Sequence, residues 1–248
     1  MKNSFWKIRD ALQTAFAPAQ FKCLNCGADV FDDVGFCEKC LREVTFNNGK
    51  TCKRCGVALH GAEDYCGHCA FEKTYFDKAY SPFCYNGAVQ KAILEMKFHN
   101  AASYAKVFAR YLAYVAVSNG LQFDAVAFVP MTAKAQRERG YNQAQLLAEH
   151  FCNFLQLDFP LDALRKTKET ARQEKLGKKQ RKENLTGAFS AKDCVSGKRI
   201  LLIDDIKTTG ATLNECAKAL KRKGATSVEC VTVASREENT VWEIEEEI

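Results

Sequence analysis

The stretch RILLIDDIKTTGATL, residues 199–213, places an apolar run, a pair of acids and a Thr-Gly turn in immediate succession. A continuous apolar run bounded by polar residues predicts a strand that is buried on both faces of a sheet. Open α/β sheets bind their ligands at the carboxyl ends of such strands. We therefore predict a ligand site where Asp204 and Asp205 follow the run.

The turn after the acids has the chemistry of a phosphate site. It offers hydroxyl groups, backbone N–H groups and the N-terminus of the helix that follows. Because the acids would repel a phosphate, they need donors of their own, and the hydroxyl groups of a ribose supply them. The stretch thus predicts a cradle for a ribose 5-phosphate, and a buried strand before an ordinary acidic helix cap is the weaker alternative. The predicted binding residues are Asp204, Asp205, Thr208, Thr209, Gly210, Ala211 and Thr212.

This stretch closely resembles the phosphoribosyl pyrophosphate (PRPP) signature of type I phosphoribosyltransferases. The resemblance implies that the acid pair holds the 2′- and 3′-hydroxyls of the ribose and that the Thr-rich turn holds the 5-phosphate. Lys207 departs from the signature, which usually has a small or apolar residue at that position.

Length and composition fit one α/β domain with a small accessory module. The chain has 248 residues, of which 47% are hydrophobic, and this excludes a disordered protein. It contains no run of about 18 apolar residues that could span a membrane. Because Lys7, Arg9 and Asp10 interrupt the apolar block that a signal peptide needs, we expect a cytoplasmic protein.

Residues 21–72 contain Cys-x-x-Cys pairs that repeat with a period of 29 residues. The two thiolates of one pair form a tight knuckle, and two knuckles complete a tetrahedral sulfur site for Zn²⁺. The predicted ligands of two structural zinc ions are Cys23, Cys26, Cys37, Cys40, Cys52, Cys55, Cys66 and Cys69.

Other interpretations of the cysteines are weaker. Disulfides need an oxidising compartment, and no secretion signal precedes the repeat. An iron–sulfur cluster is a further rival. Pairing of adjacent knuckles is the simplest arrangement, although the spacing also permits an interleaved one. Because closed zinc sites do no chemistry, we expect a scaffold or docking module, with nucleic-acid contact as the alternative.

Changes in periodicity and composition divide the chain into four parts. From Lys78 onward strands alternate with helices, which predicts an α/β fold with a mostly parallel sheet. Short strands are expected there at Ala163–Lys166 and Gly187–Ser190. The predicted parts are an N-terminal amphipathic helix (1–20), a double zinc ribbon (21–72), a phosphoribosyltransferase-like domain (73–236) and an acidic tail (237–248).

A second anion-binding loop is predicted after the apolar strand at Asp124–Val129. The loop contains Arg137 and Arg139, whose planar guanidinium groups suit a diphosphate because they donate two parallel hydrogen bonds. The alternative is a solvated basic turn. The position of the loop after a sheet strand favours the anion site.

Residues 165–183 form a strongly basic segment, with nine Lys or Arg against three Glu. Basic loops with few apolar residues close over anionic substrates or contact phosphate backbones. A solvated helix is the alternative. The candidate nucleic-acid contacts are Arg172, Lys175, Lys178, Lys179, Arg181 and Lys182.

The order of the motifs resembles the ComF/GntX family. The tandem Cys-x-x-Cys repeats precede MKF (96–98), VP…RxRGYNQ (129–143), QxxLxxxxRxxNLxxAF (173–189) and the PRPP signature. The resemblance implies a double zinc ribbon joined to a type I phosphoribosyltransferase-like domain. It also implies a role in natural transformation, in which the protein handles incoming single-stranded DNA at the cytoplasmic side of the inner membrane, with other DNA-uptake proteins as partners.

Two functional hypotheses follow. In the first, the protein is an Mg²⁺-dependent phosphoribosyltransferase that transfers ribose 5-phosphate from PRPP to an acceptor. Asp204 and Asp205 then fix the ribose, and Arg137 and Arg139 hold the leaving diphosphate. In the second, the protein handles nucleic acid and keeps the PRPP pocket as a sensor or phosphate clamp. The family resemblance favours the second.

Overall fold

The computed structural model describes residues 21–30, 34–99, 101–168 and 185–236. The predicted N-terminal helix, the acidic tail and the candidate nucleic-acid contacts between residues 169 and 184 lie outside the described residues. Within the described residues, short elements of the cysteine repeats come first, and strands alternate with longer helices from Lys78 onward.

The described strands and helices have the following bounds. The strands are β1 (Phe21–Lys22), β2 (Asp29–Val30), β3 (Lys78–Tyr80), β4 (Phe83–Cys84), β5 (Ala125–Phe128), β6 (Leu164–Lys166), β7 (Phe189–Ala191), β8 (Arg199–Lys207) and β9 (Ser227–Ser235). The helices are α1 (Glu38–Leu41), α2 (Gly67–Phe71), α3 (Gly87–Phe98), α4 (Tyr104–Ser118), α5 (Ala133–Arg139), α6 (Gln143–Phe154) and α7 (Ala211–Arg222). A 3₁₀ turn at Asp193–Val195 precedes β8.

The central sheet is parallel, as the alternation of strands and helices predicts. Its strands follow the order β3-β9-β8-β5, and β4 also pairs with β9. Residues 200–203 of β8 are 0–1% exposed, so the prediction of a strand buried on both faces is confirmed. Asp204 and Asp205 therefore lie near the carboxyl end of a central strand.

The two short strands beside the basic segment form a pair of their own, apart from the central sheet. β6 and β7 form close to the predicted places, but they pair antiparallel with each other and not with the parallel sheet. Lys166 is opposite Phe189, and Thr167 donates its N–H to the carbonyl of Ala188 (2.8 Å). An antiparallel pair needs only a loop between its strands, whereas parallel neighbours need a crossover connection. The strands on either side of the basic segment, β6 and β7, therefore lie next to each other.

Helices α4 and α6 supply much of the core behind the sheet. Phe108 and Leu112 of α4, and Leu147 and Phe151 of α6, are all 0% exposed. Their four-residue spacing places each pair on one helical face, which is why these segments form amphipathic helices. In the described ranges, no helix combines the length and the apolar character needed to cross a membrane.

The double ribbon packs directly on the α/β domain. Phe46 pairs with Phe83 of β4, with ring centroids 5.2 Å apart, and the ring of Tyr111 in α4 lies 4.7 Å from that of Phe83. On the other ribbon, Ala79 of β3 donates its N–H to the carbonyl of Arg54 (2.9 Å). Buried residues of both parts consequently belong to one continuous apolar core.

Gly27 and Gly56 occupy equivalent places in the two repeats and allow a matched test of this packing. Their φ angles are +75° and +66°, and a side chain in that region costs about 1 kcal/mol. A Cβ at Gly56 would lie 2.2 Å from the carbonyl oxygen of Ala79, whereas one at Gly27 meets nothing within 4 Å. We expect Gly56→Ala to lower the free energy of unfolding by about 3 kcal/mol and Gly27→Ala by about 1 kcal/mol. Chemical denaturation measures both, and equal losses would contradict the contact with Ala79.

Candidate functional site

The eight cysteines of the repeat form two closed clusters of adjacent knuckles, which answers the pairing question that the spacing leaves open. The four Sγ atoms of each cluster lie within 4.8 Å of one another. Cys26 and Cys37 have their Sγ atoms 3.7 Å apart, and Cys55 and Cys66 have theirs 3.6 Å apart. The first cluster contains Cys23, Cys26, Cys37 and Cys40, and the second contains Cys52, Cys55, Cys66 and Cys69.

The geometry of these clusters fits structural Zn²⁺. A tetrahedral site with Zn–S bonds of about 2.3 Å has sulfur atoms about 3.8 Å apart, whereas a disulfide bond is about 2.05 Å long. Backbone N–H groups point at the sulfurs, as from Cys55 to Cys52 and from Cys69 to Cys66, each at 3.5 Å. Such donors favour the thiolate form that binds a metal. Because four protein ligands leave no open position, these sites serve the fold and not a reaction.

A cavity of about 860 Å³ lies at the carboxyl ends of β5 and β8. Ligand sites for small molecules occupy about 300–1,000 Å³. The structure brings the predicted acids and most of the predicted turn to this one cavity. The predicted residues that line it are Asp204, Asp205, Thr208, Gly210, Ala211, Thr212 and Arg139.

The acid pair is enclosed and faces a lysine. Asp205 is 8% exposed, and its Oδ2 lies 2.9 Å from Nζ of Lys97, near the end of α3. Oδ1 of Asp204 accepts the backbone N–H of Asp205 at 2.9 Å. Burial, together with the charge of Asp205, raises the pKa of Asp204. Burial disfavours the charge on Lys97, but the attraction of Asp205 outweighs it, and the pKa of Lys97 is raised.

Gly210 shapes the turn that follows β8. Its φ of +77° lies in the left-handed region, and it is the N-cap residue of α7. Thr209 does not line the cavity; its hydroxyl accepts the N–H of Ala211 (3.3 Å) and so holds the turn itself. The hydroxyl-bearing residues Thr208 and Thr212 lie at the cavity, together with the positive end of the α7 dipole. This arrangement can bind a phosphate group.

Only one of the two predicted diphosphate arginines lines the cavity. Arg139 does so, and its guanidinium donates to Oε1 of Gln143 (2.8 Å) and lies 5.3 Å from the ring centroid of Phe98. Arg137 is exposed and does not line the cavity. The reason is that the expected loop is the helix α5. Residues two apart on a helix point about 200° apart, so α5 cannot turn both side chains to one site.

Several cavity residues are absent from the sequence-based prediction. Lys97 belongs to the MKF motif, but its role requires the end of α3 to lie beside β8, which no local pattern reveals. Two further cations, each close to an aromatic ring, line the same cavity. Lys166 lies 5.8 Å from the ring centroid of Phe189, and Arg236 lies 5.7 Å from that of Tyr85. The cavity that contains the acid pair is therefore also lined by several cations.

Lys207, the departure from the PRPP signature, is buried and also lines the cavity. Only 4% of its surface is exposed. Its carbonyl accepts the N–H of Arg236 (3.0 Å), and it is opposite Ser235 in the ladder with β9. The unusual lysine thus extends β8 up to the start of the turn without interrupting the strand.

Comparison with known protein families identifies both parts of the chain. A phosphoribosyl transferase domain matches residues 137–244, and a double zinc ribbon domain matches residues 11–70. The predicted combination of a zinc ribbon with a phosphoribosyltransferase-like fold is confirmed.

Curated relatives resemble the chain over most of its length. Competence protein F of Haemophilus influenzae is 30% identical over 219 residues, which is 84% of this chain and 94% of the relative. DNA utilization protein YhgH of Escherichia coli is 29% identical over 200 residues, or 79% of this chain and 88% of the relative. Competence protein ComFC of Bacillus subtilis is 29% identical over 237 residues, or 85% and 93%.

Proposed function

The chain belongs to the ComF/GntX family, and from this premise we propose that it is a DNA-uptake protein that binds PRPP or a related phosphoribosyl ligand in its cavity. In this proposal it handles incoming single-stranded DNA at the cytoplasmic side of the inner membrane, together with other DNA-uptake proteins. The names of the curated relatives, which refer to competence and DNA utilization, support the biological role.

One observation supports a phosphoribosyl ligand. The acid pair and the phosphate-type turn, which is the turn at residues 208–212, lie at the same cavity. Carboxylates accept hydrogen bonds from the 2′- and 3′-hydroxyls of a ribose, while the turn at Thr208 and Gly210 faces its 5-phosphate. A deoxyribose lacks the 2′-hydroxyl and would leave one buried acceptor unsatisfied. The cradle therefore suits a ribose ligand, and the DNA strand needs a separate contact surface.

Mg²⁺ is proposed to accompany PRPP. The diphosphate of PRPP would carry several negative charges into a cavity that already holds Asp204 and Asp205. Carboxylate, hydroxyl and phosphate oxygens are the ligands that Mg²⁺ prefers, and the ion would supply charge neutralisation there. Arg139 and Lys97 supply the protein's own positive charge at the same cavity.

The alternative function is phosphoribosyl transfer to an acceptor that the site does not identify. It is favoured by Arg139, which lines the cavity together with the acids and can hold a leaving diphosphate through its guanidinium. The C1 atom of the ribose would then develop positive charge as the bond to the diphosphate breaks. Arg172, Lys175 or Arg181 of the basic segment are proposed to close over this group.

Ligand titration separates these possibilities. We expect ribose 5-phosphate to bind at least about tenfold more tightly than 2-deoxyribose 5-phosphate, because one buried carboxylate loses its donor. Calorimetry measures both affinities, and equal values would contradict the ribose cradle.

A second experiment distinguishes a sensor from a transferase. PRPP with Mg²⁺ is incubated with a panel of nucleobases, and the release of diphosphate is assayed. Binding without diphosphate release supports the sensor, and release that depends on a base supports the transferase.

The proposed DNA contact is tested through its salt dependence. Replacement of Lys178, Lys179, Arg181 and Lys182 by Gln removes up to four phosphate contacts. The slope of log K against log salt for single-stranded DNA is expected to fall by about 3, at about 0.7 for each contact. A control with the same charge change replaces exposed lysines elsewhere. The control positions are Lys39, Lys91, Lys106 and Lys223. An unchanged slope, or an equal fall in the control, would contradict the contact.

A further inference from the structure

The second cysteine cluster is connected to the phosphate-type turn by a bridging segment, residues 72–77. The segment starts beside Cys69, the last cysteine of the cluster, and ends where β3 begins. At its start, Arg54 ties segment and cluster together, since its Nη1 donates to the carbonyls of Cys69 (2.6 Å) and Glu72 (3.1 Å). Glu72 in turn donates its N–H to the carbonyl of His68 (2.9 Å).

The same segment runs along one face of α7, the helix whose N-terminus lies at the cavity. Tyr75 donates its N–H to Oδ1 of Asn214 (2.6 Å), and Nζ of Lys218 lies 5.2 Å from the Tyr75 ring centroid. Nζ of Lys221 lies 2.7 Å from Oδ1 of Asp77. Positions 214, 218 and 221 follow the spacing of a single helical face. The segment therefore holds α7 along nearly its whole length.

The segment also lies close to the turn itself. Phe76 is 3% exposed, and its ring lies 3.8 Å from where a Cβ of Gly210 would stand. Gly210 is the residue whose left-handed conformation sets the direction of the turn. Asp77 fixes the far end of the segment, because its Oδ2 accepts the N–H of Val228 in β9 (2.8 Å). The turn thus rests on a side chain whose own position depends on the second cluster and on β9.

The first cluster packs elsewhere. Tyr111 of α4 donates its hydroxyl to the carbonyl of Val34 (2.9 Å), and a Cβ of Gly35 would lie 2.4 Å from Cγ1 of Val107. These contacts join the first ribbon to α4 and not to α7. The two clusters are alike in sequence, but they have different neighbours.

We propose that the second tetra-cysteine site, when it holds zinc, positions the phosphate-binding turn through residues 72–77, and that the first site does not. Tyr75, Phe76 and Asn214 are positioning residues in this arrangement. A four-thiolate zinc site fixes its knuckles and contributes folding free energy directly. Loss of that zinc frees the start of the bridging segment, and the turn then spends less time in its binding conformation. The effect on ligand affinity rests on the proposed phosphoribosyl function, whereas the effect on the turn does not.

The test compares the two clusters in the full chain. Cys66→Ser with Cys69→Ser disrupts the second site, and Cys23→Ser with Cys26→Ser disrupts the first. Elemental analysis confirms the loss of one zinc in each. We expect faster amide hydrogen exchange of residues 208–213 in the second-site variant only. Its affinity for ribose 5-phosphate is expected to fall about tenfold, as for a turn that is competent about one tenth of the time.

Asn214→Ala keeps both zinc sites and removes only the acceptor of the Tyr75 N–H. It is expected to weaken ribose 5-phosphate binding about fivefold and to speed exchange at residues 208–213, while Arg222→Ala, near the exposed end of the same helix, changes neither. Unchanged exchange of the turn in the second-site variant overturns the proposal, and so do equal effects in the first-site variant. If the wild-type protein does not bind ribose 5-phosphate, the proposed function fails, and hydrogen exchange of the ligand-free protein still decides the positioning role.

Discussion

Replacement of both Asp204 and Asp205 by Asn is expected to weaken PRPP and ribose 5-phosphate binding about 1,000-fold. The substitutions keep the size of each side chain and remove the two carboxyl groups that are expected to accept hydrogen bonds from the bound ribose, whose hydroxyl donors favour the charged form of Asp204. Hydrogen bonds to charged acceptors contribute about 2 kcal/mol each, or about 4 kcal/mol for the pair. Calorimetric titration of the full chain measures the loss.

A matched control separates this effect from a general change of charge. Asp162 and Asp193 are exposed and lie outside the cavity, and each pairs with a surface lysine. Asp162→Asn with Asp193→Asn therefore changes the net charge equally and should leave the affinity unchanged. Retained affinity in the Asp204→Asn, Asp205→Asn variant would remove the acid pair from the site.

The stability of the single variant Asp204→Asn, which leaves the ion pair of Lys97 with Asp205 in place, separates lost binding from lost folding. The pKa of Asp204 is raised in the folded protein, so the folded state holds this proton more tightly than the unfolded state does. The resulting stabilisation is complete below the unfolded pKa of about 4 and is lost as pH rises through the folded pKa. Asp204→Asn abolishes this pH dependence, and at neutral pH it should unfold no more readily than the wild type. Chemical denaturation across this pH range measures the difference.

The main features of the fold could be predicted from the sequence because their causes are local. Residues 200–203 form an uninterrupted apolar run, so burial on both faces follows from composition alone. The Cys-x-x-Cys spacing determines a thiolate site whatever surrounds it. The Thr-Gly turn likewise needs only the glycine and the helix that follows it. The physical cause of each of these elements lies within a few neighbouring residues of the sequence.

The site could be predicted only in part because its remaining members meet through tertiary packing. In a loop, Arg137 and Arg139 could both reach one site. Because α5 is a helix, their side chains point in different directions and only Arg139 lines the cavity. Lys97 and Asp205 are in contact although they are 108 positions apart in the chain. Phe76 looks like an ordinary core residue until its position beside Gly210 is known. Periodicity identifies which residues are buried, but it does not identify their neighbours.

Lys97→Met is expected to lower the free energy of unfolding by about 3 kcal/mol. The side chains of Lys97 and Asp205 are only 18% and 11% exposed, so removal of the cation leaves a carboxylate that little water can reach. The methionine keeps the apolar length of the lysine, and the loss therefore reports on charge and not on a cavity. Chemical denaturation at neutral pH measures it.

A double-mutant cycle tests whether the cost comes from the unpaired acid. In the wild-type background, Asp205→Asn also breaks the pair and should be destabilising. In the Lys97→Met background the same change removes an uncompensated buried charge, and it should restore most of the lost stability. Additive losses would mean that the two groups do not interact. A restored double variant would show that Lys97 balances the charge of Asp205 in the ligand-free protein.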